Sequence, residues 1–422
     1  MKQMKMGLLP ALVLGGLSGT ASAAGFQLME QNASGLGNAF AGSAAVAENA
    51  STIYYNPAGM TQLKGSNLSL GVDYISLKAN FANKGSTGAY TGAQSVDGGD
   101  SAFVPNGYIS HQINDQWFVG LGLGAPFGMR TNYPQSWKGA YTAMDTDIKS
   151  ANLNPSVAFK VNETVSLGLG ASYQLFQATY SQELPPPGGP LGAAVVKVKG
   201  DSSEWGWNAG ALFTLSEATR VGVSYRSSIK HHITGDWSCQ GGASCTAAYG
   251  TGGKASLDLE VPDMWVLSAY HRLNDRWELM GDLSKTGWSS VPKLAINLPG
   301  FGGNPQAQLT KPYDWSDTTR VAFGANYAFT DALKLRLGLA FDQSVVDDAH
   351  RTARLPDQRR VWYTVGAQYK PSKSTAVDVG YAYIKANTAK ISDTSALVPG
   401  SVLNGEFDSN VQVLGVQYSL NF

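Results

Sequence analysis

Counting back by twos from the last residue, Phe422, gives Leu420, Tyr418, Val416 and Leu414. The other parity is Asn421, Ser419, Gln417, Gly415 and Val413, mostly small or polar. Strict alternation is the period of a β-strand with one apolar and one wetter face. The same pattern recurs along the chain. Trp117, Val119, Leu121 and Leu123 alternate with Phe118, Gly120, Gly122 and Gly124. Val165, Leu167, Leu169, Ala171 and Tyr173 alternate with Ser166, Gly168, Gly170 and Ser172. Leu333, Leu335, Leu337, Leu339 and Phe341 alternate with Lys334, Arg336, Gly338, Ala340 and Asp342. Val377, Val379, Tyr381 and Tyr383 repeat the theme. The runs reach about ten residues, the length a tilted membrane strand needs. A charge on the lipid face is costly, so the polar parity must face a lumen.

These patterns predict an all-β transmembrane barrel of about fourteen antiparallel strands over residues 64–422, an even number as expected of bacterial barrels. Short turns at Asn114-Asp115, Asn162-Glu163, Asn274-Asp275 and Thr330-Asp331 mark the periplasmic end. Longer irregular stretches at about 84–101, 128–147, 184–202, 236–254, 290–314, 343–358 and 389–408 mark the external end. A terminal aromatic such as Phe422 resembles the signal that barrel-assembly machinery reads, which makes that machinery a partner during biogenesis.

The first residues change the picture in one respect. Lys2 and Lys5 precede an apolar stretch from Met6 to Leu17, and Ala21-Ser22-Ala23 has the form of a leader-peptidase site. Residues 1–23 therefore read as a signal peptide, too short in its apolar part to cross a ~30 Å core. No later segment approaches the ~18 apolar residues of a spanning helix. Export across an inner membrane and a barrel together imply the outer membrane of a Gram-negative cell.

Composition agrees. Charged residues make up 15% of the chain, Gly numbers 49, and Lys+Arg equals Asp+Glu at 31 each. A neutral chain lacks the basic surface of a nucleic-acid binder. Cys239 and Cys245 lie close together among glycines, and in an oxidising compartment they are expected to form a local disulfide. No histidine or second cysteine pair suggests a metal site. Gly200-Asp201-Ser202 is like a fragment of an esterase nucleophile block, but no G-x-S-x-G elbow occurs. His231 and His232, being adjacent on a strand, point to opposite faces. An outer-membrane lipase is thus the weaker reading, and no cofactor is implied.

Residues 24–63 do not alternate. They hold only two charges, Glu30 and Glu48, and are rich in Gly, Ala, Ser and Asn. Such a segment suits a plug inside a lumen better than a free polar tail.

The opening AGFQLMEQNASGLGNAFAGSAAVAENASTIYYNPAGM resembles the mature N-terminus of the FadL family of long-chain fatty acid transporters. Gly25-Phe26-Gln27-Leu28 and Asn56-Pro57-Ala58 are its specific parts. The likeness continues through SWKGAYTAMDTDI, NPSVAFKV, RVGVSYRSSIKH, VPDMWVLSAYHR, WSDTTRVAFGANY and RTARLPDQRRVWYTVGAQY. The resemblance implies a monomeric fourteen-strand barrel with an N-terminal hatch containing Asn56-Pro57-Ala58. It implies that a hydrophobic ligand binds first among external loops, then in a deeper pocket touched by Gly25 and Phe26. It also implies a sideways exit into the lipid where the third strand kinks. Gly124-Ala125-Pro126-Phe127-Gly128 is the place for that kink, since proline cannot donate to the ladder and glycine marks bulges.

A fatty acid needs an apolar pocket with one or two cations or donors. By alternation, Arg226, Lys334 and Arg336 face the lumen, with Arg320 alongside, and these are the candidate head-group partners. Each suits pairing with a wall carboxylate better than anchoring a ligand. The stretch Gln174–Tyr180, where the resemblance places a head-group cation, holds no Arg or Lys. Family members that take up monoaromatic hydrocarbons such as toluene or xylene need none, so that cargo is the alternative. Leu191, Ala193, Val195 and Val196 either line an external groove or extend a strand. An open porin is the third reading, which the plug-like start opposes.

Overall fold

Pairing by alternation closes the chain on itself. The computed structural model describes residues 25–186 and 194–422. The leader 1–23, Ala24 and the loop residues Leu191 and Ala193 lie outside the described residues. Fourteen strands form a single antiparallel barrel. They are β1 (Ser66–Asn83), β2 (Ser95–Asp97 and Ser101–Gln112), β3 (Trp117–Gly124 and Gly128–Asn132), β4 (Asp145–Lys160) and β5 (Val165–Leu184). Next come β6 (Ala194–Thr214), β7 (Thr219–Arg226 and Ile229–Gln240), β8 (Gly252–Val261 and Met264–Arg272) and β9 (Trp277–Thr286 and Lys293–Asn297). The last are β10 (Gln308–Pro312 and Thr318–Ala328), β11 (Leu333–Asp342), β12 (Arg360–Tyr369), β13 (Thr375–Ala386 and Ala389–Thr394) and β14 (Val402–Asn421). The ladder between β1 and β14, from Asn67 opposite Asn421 to Asn83 opposite Gly405, closes the ring. Closure joins the first strand to the last and so removes the two terminal sheet edges, the requirement for spanning lipid with strands.

The two parities separate as the sequence pattern requires. Leu335, Leu337 and Phe341 are exposed on the outside of β11, while Arg336 and Asp342 are buried inside. Leu414, Val416 and Tyr418 face out, and Gln417 faces in. Outward aromatic pairs ring the barrel at two levels. Trp117–Phe159 and Trp277–Tyr327 lie near the short turns, and Tyr173–Trp205 and Tyr225–Trp265 lie nearer the other end. Amphipathic rings at both interfaces anchor a barrel in the membrane.

The short turns share one device. Asn114 Oδ1 accepts from the backbone N–H of Gln116 and Trp117, and Asn162 and Asn274 repeat this at Thr164/Val165 and Arg276/Trp277. An Asn side chain that bonds the backbone two and three residues on is a turn former.

The external boundaries need correction. Residues expected in loops at 84–101, 128–147, 184–202, 236–254, 290–314 and 389–408 are partly strand, because hairpins continue beyond the lipid. β6 begins at Ala194, so Val195 and Val196 extend a strand, and Ser202 lies well within it. Outside lipid neither face must be apolar, so the alternation that reveals a strand fades while the ladder persists.

Inside the barrel lies the N-terminal segment. None of residues 25–63 is exposed. Its helical turns α1 (Ala33–Leu36) and α2 (Thr52–Tyr55) and the 3-10 turn Pro57–Gln62 pack on lumen-facing glycines. A Cβ on Gly168, Gly222 or Gly338 would meet the backbone of Ala58, Ala44 or Asn38 at 2.2, 1.9 and 2.2 Å. The glycine parity seen in the sequence thus lets backbone lie directly on the wall.

Candidate functional site

β3 is interrupted. Its first half pairs with β2 up to Leu123 opposite Gly107, and with β4 up to Gly124 opposite Asn152. Its second half, Gly128–Asn132, pairs with β4 again, one residue out of step. Residues 124–129 lose the alternation and are all buried, so the chain turns inward. Among the described residues, no ladder pair joins β2 and β3 beyond Leu123 until Asn132 N–H donates to Gly98 O at 3.0 Å. A gap in the pairing lies between them, spanned by the Arg130–Asp100 ion pair at 3.1 Å and flanked outside by the exposed Phe103 and Leu123.

Unpaired backbone at membrane depth must find partners. Here the N-terminal segment supplies most of them. Gln31 Nε2 donates to Ala125 O at 2.8 Å, and its Oε1 accepts from Ala125 N at 3.2 Å. Leu28 N donates to Pro126 O at 2.8 Å, and Gly128 N donates to Phe26 O at 2.9 Å. Ser150 of β4 completes the set, accepting from Phe127 N at 2.8 Å and donating to Phe127 O at 2.5 Å. Tyr108 OH of β2 donates to Gln31 O at 2.9 Å, tying the same residue to the other lip of the gap.

Phe26 projects into an aromatic pocket. Its ring lies 4.8 Å from Trp288, 5.7 Å from Phe127, 5.8 Å from Trp315 and 6.5 Å from Phe176, centre to centre. Gly25 precedes it with φ +67°, and a Cβ there would strike the Trp288 ring at 2.5 Å. Only glycine fits that position. Beside it a cavity of about 50 Å³ runs past Met129 and Ile384 to Arg360. Gln31, Tyr108, Ser150, Trp288 and Trp315 carry this arrangement, yet no motif marks them in the sequence. Gln31 and Trp315 do fall within the runs AGFQLMEQ and WSDTTRVAFGANY that carry the family resemblance.

Asn56 closes the other end of the segment. Its Oδ1 accepts from Ala58 N at 3.1 Å, with Pro57 opening the 3-10 turn. Its Nδ2 donates to Ala44 O at 2.8 Å and to Ala211 O of β6 at 3.0 Å. Asn56-Pro57-Ala58 therefore anchors the segment to the wall rather than touching the aromatic pocket.

The four lumen cations are already engaged. Arg226 donates to Ser172 Oγ and Tyr54 O, each at 2.9 Å, and lies over the Tyr54 ring. Arg320 donates to Ala39 O at 2.7 Å and lies over Trp362. Arg336 bridges Glu48 at 2.7 Å and Asp378 at 2.8 Å. Lys334 pairs with Glu278 at 3.0 Å. Three of the four hold the N-terminal segment and the fourth holds the wall. Glu30 of that segment is fully buried without an ion pair among the described residues. Burial pushes its carboxyl up to about 7, against the pull of Arg320 and Arg360.

At Gln174–Tyr180 the lumen face presents Gln174 and Phe176. Gln174 Oε1 meets His231 Nε2 at 2.9 Å, and Ser202 Oγ meets His231 Nδ1 at 2.7 Å. The arrangement has a nucleophile and a base, but a neutral amide stands where a triad needs a carboxylate to stabilise an imidazolium. His232 points the opposite way, to Asp258 at 2.6 Å. Cys239 and Cys245 are disulfide-bonded, with Cα atoms 5.6 Å apart, at the external tip of the β7–β8 hairpin. Among the described residues no cluster of three or more metal-ligating side chains occurs.

Comparison with known proteins agrees with this geometry. The family model described as "Outer membrane protein transport protein (OMPP1/FadL/TodX)" matches residues 15–422. Outer membrane protein P1 of Haemophilus influenzae is 31% identical over the whole of both chains. The long-chain fatty acid transport protein of Escherichia coli is 30% identical, covering 89% of this chain and 91% of that one. The crystal structure of a Pseudomonas aeruginosa FadL homologue superposes with a TM-score of 0.86 at 26% identity, covering 94% of this chain and all of the other. The Ralstonia pickettii toluene transporter TbuX shares the fold at a TM-score of 0.68 and 17% identity, over 93% and 98% of the two chains. The chain belongs to the OMPP1/FadL/TodX family of outer-membrane transporters of hydrophobic compounds.

Proposed function

We propose that this chain carries long-chain fatty acids passively across the outer membrane, through a barrel plugged by an N-terminal hatch (24–63), with a sideways exit at the β3 kink. One observation carries the reading. The residues that fill the aromatic pocket and those that satisfy the kink belong to the same short run, Phe26 to Gln31. A hydrophobic ligand that takes the place of Phe26 pulls Leu28 and Gln31 from the kink backbone. The gap toward lipid then opens as the pocket fills. Gating needs no energy source, because ligand binding itself supplies the differential free energy between the two states. The choice of fatty acid is supported by relatives of 30–31% identity that bear the name long-chain fatty acid transport protein. The likeness to toluene transporters, at 17% identity, speaks to fold alone.

A second reading keeps the route but changes the cargo to a monoaromatic hydrocarbon. The absence of a cation at Gln174–Tyr180 and the aromatic lining around Phe26 favour it. Equilibrium binding of oleate and of toluene to the purified protein separates the two. Preferential oleate binding is expected, and toluene binding without oleate binding overturns the choice. The exit is tested by replacing Gly124–Gly128 with a regular strand sequence that continues the β2–β3 ladder. Uptake into cells should be lost while the barrel stays folded, and unchanged uptake rules out the sideways exit.

A further inference from the structure

We propose that Arg354 binds the carboxylate of an incoming anionic amphiphile in an external cavity above the hatch. The proposal rests on the uptake reading above and names the ligand's head group and its first contact. The cavity measures about 430 Å³ and lies between the outer ends of β5, β9 and β10 and the β11–β12 and β13–β14 connections. Cavities that take a small ligand run roughly 300–1,000 Å³ and are mostly apolar with few polar groups. Here Leu294, Leu309, Leu397 and Tyr313 supply apolar surface.

Arg354 is the unusual member of the lining. It is 4% exposed, yet among the described residues no carboxylate lies within ion-pair distance of it. Its donors go to neutral oxygens instead. Nη1 reaches Thr146 Oγ1 at 2.9 Å and, more weakly, Asp145 O at 3.4 Å. Nη2 reaches Ser181 O at 2.9 Å and Gln182 Oε1 at 3.1 Å. Its guanidinium lies 3.4 Å from the centre of the Tyr180 ring. Buried charges are normally paired, because neutral acceptors do not offset the full cost of dehydration. The other two charges on the cavity wall, Lys311 and Asp393, satisfy each other. The described lining is therefore left with one net positive charge. Gln182 Oε1, which also accepts from Tyr180 OH, occupies the place a carboxylate oxygen would take. Bidentate guanidinium–carboxylate pairing is stronger and more directional than the amide contact it replaces.

The site also leads onward. Arg354 O accepts from Thr131 Oγ1 at 3.0 Å, so the loop rests on the outer half of β3, just beyond the kink. Tyr313, in the cavity wall, stacks on Trp315 at 5.1 Å, and Trp315 touches Phe26 at 5.8 Å. A chain held by its head at Arg354 has an unbroken aromatic path for its tail toward the Phe26 pocket.

Equilibrium dialysis of the full detergent-solubilised chain against radiolabelled laurate and lauramide tests this, since the two differ only in head-group charge. Laurate should bind at least about tenfold tighter, as expected for a charge-assisted pair of at least 1.4 kcal/mol. Arg354→Gln should abolish that preference while leaving lauramide binding unchanged, which also reports an intact fold. Arg354→Lys should retain most of the preference. If Arg354→Gln binds laurate within twofold of the parent, or if the parent binds both ligands equally, the Arg354 site is wrong and the uptake reading stands. If the parent binds neither, the uptake reading falls and the Arg354 site with it.

Discussion

Glu30 shows how a single buried carboxyl couples the N-terminal segment to pH. Its ordinary value is 4.5, and burial raises it to about 7 in the docked segment. Around it stand Arg320 of β10, Arg360 of β12 and Asp73 of β1. An acid that is harder to ionise when docked favours docking while protonated. Docking is therefore strongest below about pH 4.5, weakens as pH rises toward 7, and is constant above that. The displacement corresponds to on the order of 3 kcal/mol. Hydrogen exchange of the backbone amides of residues 25–40, corrected for intrinsic rates, should show docking loosening between pH 5 and 7 and no further change above. Glu30→Gln should flatten that dependence, and an unchanged slope in the variant would assign it elsewhere. The charge itself was visible in the sequence as one of two in a long neutral stretch. Its full burial was not, because the plug-like composition places the segment in a lumen but no period says which of its residues the wall covers. The lumen cations were legible by parity for the same reason that their partners were not. Alternation gives a face, whereas Tyr54, Ala39 and Glu48 come from a segment with no period.

At the scale of elements, the strands were legible wherever one face meets lipid, as on β3, β5, β11 and β14. The same rule explains where the reading stopped. β6 from Ala194 and the outer parts of β9 and β10 project beyond the membrane, and there the apolar face need not look outward: on β6 Val196 and Val198 are buried inside while Lys197 and Lys199 lie on the outer parity. The kink was legible from Gly124-Ala125-Pro126-Phe127-Gly128, since that run breaks a ladder wherever it falls. What holds the kink was not legible. Ser150 both accepts from and donates to Phe127 across the bulge. Ser150→Ala leaves a buried backbone N–H and C=O without that partner, a cost of about 1–3 kcal/mol. Amide exchange at Phe127 should speed by roughly tenfold or more, while residues 117–123, paired on both sides, stay protected. Equal protection of Phe127 in the variant would show that Ser150 does not hold the bulge.

On the scale of the whole molecule, the barrel and its filling answer to different constraints. The β1–β14 ladder closes the ring through strand residues alone, so the wall does not need residues 25–63 to be continuous. Those residues instead occupy space that the wall has cleared for them. Gly168, Gly222 and Gly338 admit backbone contacts that any side chain would exclude. Arg226, Arg320 and Arg336 reach inward to hold what lies there. Two changes should then converge on one phenotype. Deleting residues 25–63 empties the lumen outright. Gly222→Val places side-chain atoms where Ala44 O now sits and should drive the segment off the wall. Planar-bilayer recordings should find large steady currents for the deletion, with frequent long openings for Gly222→Val, against a nearly closed parent. Both proteins should still run as compact heat-modifiable barrels, because the lipid-facing parity is untouched. A deletion variant that folds and inserts yet stays closed would mean that external loops, rather than the segment, seal the barrel. The gap at β3 would then be the sole way through, and Phe26 would not be its gate.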